Sequence, residues 1–336
     1  MQPSRTGESA RPHMVADPAL RRTVLVTGAS GVIGTALLPR LGAFDVLALV
    51  HRSPVSAPGI ASVTGDVRQP MLGLSAAAYE QLTQRVDAVV HCAAVTDFAR
   101  ADGSLQDTNI AGTQHIVQLA ADAGAVLLHV STAFIGTASG SARDSAAAGY
   151  AASKVAAEQV VLASRVPTVV LRPSVVIGDS RTGVISAFQG LHGVAGAVLS
   201  GTVPMVPFDP SWPIDFVPCD LVADAIATVL EQDVRSGEFW ITAGSSAMRL
   251  DEAIALTVDL GTELGLAVEP PRFVSPDLFE RLIGPVFLDA LPPRARRTVQ
   301  RLHEYFATYL CDGHTLPSSL AELTALGAAP LPDQRQ

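Results

Sequence analysis

Two side chains four residues apart, a tyrosine and a lysine, are the first candidates for chemistry in this sequence. Tyr150 and Lys154 lie in "GYAASKVAAEQVV" (149–161), a stretch whose pattern predicts a helix. Residues i and i+4 share a helix face, so the phenol and the ammonium can point into one space. A tyrosine with a pKa of about 10 is inefficient as an acid or base near neutrality. A cation about 4 Å away, at an effective dielectric of about 20, would lower that pKa by a few units at most. Taken alone, this short pattern is more typical of an exposed tyrosine beside a solvated lysine on an amphipathic helix, so other motifs must decide.

A glycine-rich segment near the start of the chain predicts a phosphate-binding loop. "TGASGVIG" (27–34) places Gly28, Gly31 and Gly34 between an apolar strand and a helix. Glycines let the backbone turn tightly and approach a phosphate, while the helix N-terminus supplies N–H donors. A tight turn with close helix–sheet packing would need the same glycines. Its position at the first strand–helix junction favours dinucleotide binding, with contacts from Ser30, Val32 and Ile33 as well.

The end of the second predicted strand indicates which dinucleotide binds. An acidic residue there would bind the ribose 2′-hydroxyl, whereas an arginine would accept a 2′-phosphate. The segment "LALVHRSP" (47–54) contains His51 and Arg52 but no carboxylate, and Asp45 lies at the wrong end of the strand. We therefore expect NADP(H), although Arg52 could also be an ordinary solvated charge. Asp66 and Val67 of "TGDV" (64–67) are expected near the adenine, and Ala93 and Ala94 of "HCAA" (91–94) beside the cofactor.

Short apolar strands alternate with helical patterns from residue 23 to residue 178. This alternation predicts an α/β fold in which a parallel sheet is covered by helices on both faces. We expect a leader over 1–20, a nucleotide-binding core over 21–180, and a mixed, mostly helical substrate-binding part over 181–330. Within that last part, residues 212–245 are expected to return to the core.

Composition excludes several classes of protein. The chain is 48% hydrophobic and 16% charged, as a well-packed globular protein is, and its net charge of −9 argues against a nucleic-acid partner. The sequence contains no uninterrupted apolar run of the length that a membrane span needs. Cys92, Cys219 and Cys311 are far apart, without metal-ligand or disulfide spacing, so we expect no metal and a cytoplasmic location.

These motifs together resemble the extended short-chain dehydrogenase/reductase family over roughly residues 22–245. The resemblance rests on "TGASGVIG", "GDV", "HCAA", "NIAGT", "HVSTAFIG", "YAASK", "RPSVVIG" and "DFVPCDLVADAI", in the family's order. The motifs "HVSTAFIG" and "LRPSVVIGDSRTG" are most similar to those of the branch that contains thioester reductases and fatty acyl reductases. The fold implied is a Rossmann-type, doubly wound parallel sheet with a smaller helical C-terminal part.

The resemblance implies a role for each matching residue. Tyr150 would donate the proton, and Lys154 would bind the nicotinamide ribose and lower the pKa of the tyrosine. Thr132 would hydrogen-bond the substrate oxygen; its neighbour Ser131 is expected to face the other side of the strand. Asn109 would hold a water, or else cap a helix start. Pro173, Ser174 and Val175 would lie near the nicotinamide carboxamide.

The function predicted is an NADP(H)-dependent reduction of a carbonyl in a hydrophobic or polyketide-like small molecule. Ketones, aldehydes and acyl thioesters all present the required C=O. The first alternative is a sugar-nucleotide epimerase or dehydratase, for which arginines of the C-terminal part such as Arg181 and Arg272 could bind a diphosphate. The second is an NADP(H)-sensing regulator, which the Tyr150–Lys154 pair disfavours. The resemblance also suggests a homodimer.

Overall fold

The computed structural model describes most of the chain. It describes residues 21–55, 57–96, 103–135, 146–188, 190–284, 286, 289, 296–297, 299–300, 303, 306, 308–310 and 313–333. The leader expected over residues 1–20 lies outside these residues. Within them the strands are β1 (Thr23–Thr27), β2 (Asp45–Val50), β3 (Ile60–Thr64), β4 (Ala88–His91), β5 (Val126–Val130), β6 (Thr168–Pro173), β7 (Val175–Ile177), β8 (Met205–Val206), β9 (Pro213–Ile214), β10 (Phe216–Pro218), β11 (Gly237–Ile241), β12 (Met248–Arg249) and β13 (Arg272–Phe273).

Helices connect most of these strands. They are α1 (Val32–Leu37), α2 (Ala76–Thr83), α3 (Gly112–Ala123), α4 (Ala146–Leu162), α5 (Gly190–Leu199), α6 (Cys219–Glu231), α7 (Leu250–Glu263), α8 (Pro276–Leu278) and α9 (Leu320–Leu326). Short 3-10 turns cover Leu38–Arg40, Pro70–Gly73 and Gly244–Ser246, and π-helical turns cover Gln106–Ala111 and Phe279–Ile283.

The described residues contain a seven-stranded sheet in the order β11-β6-β5-β4-β1-β2-β3, with every pair parallel. The order reverses at β1, as in doubly wound folds, and the predicted Rossmann-type architecture is confirmed. The first strand shows why it forms: Thr23–Thr27 is buried at every position. Parallel strands covered on both faces need such continuous apolar runs.

Two apolar clusters cover the two faces of this sheet. Val24 and Val26 belong to a cluster on one face with α1 and α6, whereas Leu25 belongs to a cluster on the other face with Ile116 and Leu119 of α3. The alternation along β1 assigns neighbouring side chains to opposite faces. Register then aligns the carboxyl ends, because Thr27 pairs with His91 and His91 with His129. Loops that follow these strands therefore meet at one edge of the sheet.

The apolar run 167–178 predicts one strand, but the structure divides it into β6 and β7. The break falls at Ser174, whose N–H donates to Ile241 O, while the N–H of Val175 donates to Asp215 O. After the break, β7 leaves the main sheet and pairs with β10. Buried Asp215 stabilises this crossing, because its two oxygens accept the N–H groups of Ala243 and Gly244 at 2.9 and 2.8 Å. The chain thereby carries Pro173–Val175 across the carboxyl edge of the sheet.

The C-terminal part forms a third apolar cluster, with α5, α7 and the short strands β8 and β9. Helix α9 does not join this third cluster. It packs against β11 of the main sheet and against α6, and Leu323 is fully buried there. Ser319, just before α9, is hydrogen-bonded to β11. Its N–H donates to Trp240 O at 2.8 Å, and its hydroxyl accepts the N–H of Trp240 at 3.0 Å. Across the described residues, no helix combines the length and the apolar character needed to cross a membrane.

Candidate active site

The loop between β1 and α1 has the tight geometry that its glycines predict. Gly28 has φ +68°, and a Cβ there would lie 2.6 Å from the N atom of Ala93. A Cβ on Gly34 would collide with the backbone oxygen of Gly28, so this glycine permits the helix to pack on the loop. The N–H of Gly31 donates to Gly28 O at 2.9 Å, and Gly31 is the N-cap residue of α1. Gly28 and Gly31 also line a cavity, whereas Gly34 serves packing.

This first cavity has a volume of about 350 Å³ and lies beyond the ends of β1, β2 and β4. It contains a fixed ion pair, since Arg68 contacts both carboxylate oxygens of Asp66, at 2.6 and 3.0 Å. The hydrogen bond from Arg68 lowers the pKa of Asp66 to about 2. His51 Nε2 lies 3.4 Å from the same carboxylate. The expected cofactor residues that line this cavity are Gly28, Ser30, Gly31, His51, Arg52, Asp66, Val67, Ala93 and Ala94.

Arg52 also lines this cavity, but it is not paired with a carboxylate of the described residues as Arg68 is with Asp66. The guanidinium of Arg52 is therefore available to an anion. Arg68 could have been suspected from the sequence, because an arginine two residues after an aspartate can form such a pair, but the sequence interpretation missed it.

The second cavity, of about 240 Å³, contains the predicted catalytic side chains. Thr132, Tyr150 and Lys154 line it together. The hydroxyls of Thr132 and Tyr150 form a hydrogen bond. Lys154 is buried, and its Nζ donates to Val130 O at 2.8 Å. The other expected residues that line this cavity are Gly31, Val32, Ile33, Ala94, Pro173, Ser174 and Val175.

Burial dominates the pKa values of the tyrosine and the lysine. It raises the pKa of Tyr150 to about 12, against a smaller lowering by the hydrogen bond to Thr132. This is opposite to the lowered value expected from the resemblance, and it leaves the phenol protonated. Burial lowers the pKa of Lys154 to about 8, and the charge of Glu158 partly opposes that shift. Glu158 itself binds Arg172 through two hydrogen bonds of 2.9 and 2.7 Å.

Ser131 was expected to face away from Thr132, but both residues line the catalytic cavity. The strand β5 ends at Val130, so the alternation of a strand no longer applies after that residue. Tyr309 also lines this cavity and contacts Phe134 edge-on, with ring centroids 4.9 Å apart. Tyr309 was missed because nothing in its local sequence marks it.

Asn109 does not have the helix-start position that was one of its two expected roles. It lies inside the π-helical turn Gln106–Ala111 and does not begin a helix. Its side chain is buried: Nδ2 donates to Val95 O and to Ser153 Oγ, and Oδ1 accepts the N–H of Val95. Both amide protons are therefore used by the protein. Because the Ser153 hydroxyl donates to Tyr150 O at 2.7 Å, Asn109 connects the loop after β4 to the catalytic helix.

A second buried chain of hydrogen bonds runs through His91, which the sequence interpretation treated only as part of "HCAA". Thr27 Oγ1 accepts the N–H of Ala93 and donates to His91 Nδ1 at 2.8 Å. Thr113 Oγ1 uses its proton on Asn109 O at 2.6 Å, so it must accept from His91 Nε2 at 3.2 Å. These partners assign the proton of the ring to Nε2. Burial lowers the pKa of His91 to about 3 and keeps the ring neutral.

The seven-stranded parallel sheet and the glycine-rich loop define a Rossmann-type fold of the extended short-chain dehydrogenase/reductase class, which confirms the resemblance noted from the motifs. Residues 52–226 match the NAD-binding family described as male sterility protein. The match covers more than half of the chain, which belongs to this family.

Individual relatives are much larger proteins or separate domains. The chain is 28% identical over 291 residues to a linear gramicidin synthase of Brevibacillus parabrevis, covering 74% of this chain but 6% of that protein. Its fold is similar to the terminal R domain from the myxalamid PKS-NRPS biosynthetic pathway, with a TM-score of 0.71 and 24% identity over 93% of this chain and 87% of that one. It is also similar to MoeE5 in complex with UDP-glucuronic acid and NAD, with a TM-score of 0.55 and 24% identity over 75% of this chain and 85% of that one.

Proposed function

We propose that this chain is an NADPH-dependent reductase that converts an acyl thioester to an aldehyde. The observation that carries the proposal is the hydrogen bond between Thr132 and Tyr150 in the cavity that Lys154 also lines. Two hydroxyls joined in this way can share one incoming carbonyl oxygen. The similarity to a peptide synthase and to an R domain supports a thioester as the group that carries this carbonyl.

The residues of the chain fit a nicotinamide dinucleotide. Gly28 and Gly31 would cradle the pyrophosphate, since a side chain on Gly28 would fill the space beside Ala93. Arg52 would bind the 2′-phosphate, and the Lys154 ammonium would bind the nicotinamide ribose. When bound, NADPH supplies the hydride that the carbonyl carbon receives.

Tyr150 serves as the acid in this scheme. As the carbonyl carbon gains the hydride, its oxygen takes the phenolic proton of Tyr150 and a hemithioacetal forms. The raised pKa of Tyr150 keeps the phenol protonated at neutral pH but also makes it a weak acid, so the negative charge that the hydride brings to the oxygen must draw the proton across. The Lys154 ammonium, on the same helix face, stabilises the phenolate.

The hemithioacetal then collapses at the same site. Its hydroxyl returns the proton to Tyr150, the C–S bond breaks, and the thiolate takes a proton from solvent. The net change is thioester plus NADPH plus one proton, giving aldehyde, thiol and NADP⁺. Thr132 holds the oxygen throughout, because its hydroxyl can both donate and accept.

A sugar-nucleotide epimerase or dehydratase is the second candidate, favoured by the likeness to MoeE5. A sugar diphosphate carries two negative charges that need cations beside its phosphates. Among the described residues lining the catalytic cavity, Lys154 is the one cationic side chain, and it is needed for the nicotinamide ribose. Arg181, an expected diphosphate ligand, lines a separate cavity whose walls are mainly apolar. The geometry therefore supports the thioester reductase more strongly. A cofactor-sensing regulator would have no need of the Thr132–Tyr150 bond.

The test is a coupled assay of NADPH oxidation and aldehyde formation. Octanoyl thioester of N-acetylcysteamine is the first substrate, followed by octanal, a ketone and UDP-glucose. We expect thioester-dependent oxidation of NADPH with one aldehyde trapped per NADPH consumed. Conversion of UDP-glucose without net NADPH oxidation, together with no turnover of thioester, would replace the reductase with the epimerase.

A further inference from the structure

A third cavity, of about 480 Å³, lies between β7, β10, α5 and α7. Its walls are mainly aliphatic and aromatic, and they include Val194 and Val198 of α5, Ile254 of α7, Ile214 and Phe216. Ligand sites for small molecules have volumes of about 300–1,000 Å³ and are lined mostly by such side chains. The cavity thus has the size and the surface of a ligand site.

This apolar cavity shares a wall with the catalytic cavity. On β7, Val175 and Val176 line the catalytic cavity while the next residue, Ile177, lines the apolar one. On α5, Gly190 lines the catalytic cavity while Leu191 lines the apolar one. On each of these two elements, consecutive residues, whose Cα atoms are about 3.8 Å apart, therefore line different cavities.

Two polar residues at the rim, Asp179 and Ser180, are already bound to the protein. Asp179 accepts hydrogen bonds from the N–H groups of Arg181 and Thr182 and from the hydroxyl of Thr182. Ser180 gives both its N–H and its hydroxyl to Asp220, at 2.9 and 2.7 Å. A polar ligand would have to replace these bonds, whereas an aliphatic ligand would leave them intact. Arg181 also lines the cavity, without an ion pair among the described residues, so the apolar walls and not the rim favour an aliphatic occupant.

One apolar side chain of the wall is left exposed to solvent. Leu256 of α7 lines the cavity and is 46% exposed. Covering such a surface removes apolar area from water, at about 25 cal/mol per Å². An aliphatic chain lying in the cavity would cover Leu256 as well as the inner wall.

We propose that this cavity binds the aliphatic chain of the acyl substrate, on the far side of β7 from Tyr150. The inference rests on the proposed function for its thioester, and it adds that chain length is selected by α5 and α7. Ala195 and Ala253, one on each helix, line the cavity with small side chains that leave its width open.

The experiment narrows the cavity by introducing a phenylalanine on α5 or on α7. Ala195→Phe and Ala253→Phe put a ring into it, and Ala255→Phe is the matched control, because Ala255 is exposed on the same helix as Ala253 and does not line the cavity. The kcat/KM for butanoyl, octanoyl and dodecanoyl thioesters of N-acetylcysteamine is measured for each variant. We expect both cavity variants to lose about tenfold on the dodecanoyl substrate, corresponding to about two methylenes excluded from burial. Butanoyl turnover should be unchanged in them, and the control should keep the full profile.

A binding measurement separates this inference from the proposed function. Calorimetry with dodecanoyl thioester and NADP⁺ reports on the cavity without any turnover. Binding that Ala253→Phe abolishes and Ala255→Phe preserves, in a protein that reduces no thioester, would retain the cavity and remove the reductase. Turnover whose chain-length profile is the same in the wild type and in both folded cavity variants would overturn the inference and retain the reductase.

Discussion

The ammonium of Lys154 donates a hydrogen bond of 2.8 Å to the carbonyl oxygen of Val130, the last residue of β5. This bond ties the catalytic helix α4 to the strand whose continuation contains Thr132. Tyr150 lies one turn earlier on the same helix and meets Thr132 through its hydroxyl. The geometry of the candidate site is thus set by two features, the residue spacing along α4 and the end of β5.

Removal of the Tyr150 hydroxyl should abolish most turnover. We expect Tyr150→Phe to lower kcat by about 10²–10⁴-fold, since positioned acid catalysis contributes that much. NADPH affinity, measured by fluorescence titration, should stay within about twofold, because the ring still packs. Tyr79→Phe is the control, as that phenol binds Asp122 away from the site. Normal kcat in Tyr150→Phe would assign the proton to another group.

Activity should fall as the pH rises through about 8. The pKa of Lys154 is lowered to about 8, so the ammonium is present below that pH and is lost above it. The pH profile of kcat/KM reports this group in the free enzyme. Lys154→Arg, whose side chain stays charged, should lose this alkaline limb even if its overall rate is lower. An identical limb in that variant would show that another group titrates.

Arg52 should select the cofactor. A charge-assisted hydrogen bond contributes about 1.5–3 kcal/mol, so Arg52→Ala should weaken NADPH binding by about 10- to 150-fold. NADH binding should change little, because NADH has no 2′-phosphate. Arg85→Ala, at an exposed position just after α2, is the matched control. Equal weakening of both cofactors in Arg52→Ala would mean that Arg52 does not bind the phosphate.

His91 should make the stability depend on acid pH. The pKa of His91 is about 3 in the folded protein but about 6.5 when the chain is unfolded. The unfolded state therefore binds the extra proton between these values, so this contribution to stability is full above pH of about 6.5 and decreases as the pH falls. Chemical denaturation across this range measures the effect.

The variant His91→Phe tests the same prediction by removing the titrating imidazole. It should remove the His91 share of the acid dependence and leave that of buried His129, whose pKa burial also lowers. It should also lower stability by about 1–3 kcal/mol, because the buried Thr27 hydroxyl loses its acceptor. His115→Phe provides a control, because that ring bonds Val67 O at a half-buried position. If His91→Phe shows the wild-type acid dependence, His91 is not the buried neutral group inferred from its partners.

Local sequence was sufficient for the parts of the site that depend on neighbours in the chain. The spacing of Gly28, Gly31 and Gly34 predicts the turn into α1, and the i, i+4 spacing predicts that Tyr150 and Lys154 share a face. The apolar runs predict parallel strands, and the position of Arg52 after β2 places it at the carboxyl edge. Each inference needs only backbone sterics and the period of one element.

Tertiary structure decided everything that depends on which distant residues meet. Asn109 bonds Val95 and Ser153, and His91 bridges Thr27 and Thr113, because strand register and helix packing bring those groups within about 3 Å. Burial, which no local pattern measures, moves the pKa of Tyr150 upward and that of Lys154 downward. The division at Ser174, which carries β7 out of the sheet to form the shared wall of two cavities, depends on Asp215 and Ile241. Those partners lie tens of residues away in sequence, so only the folded chain selects them.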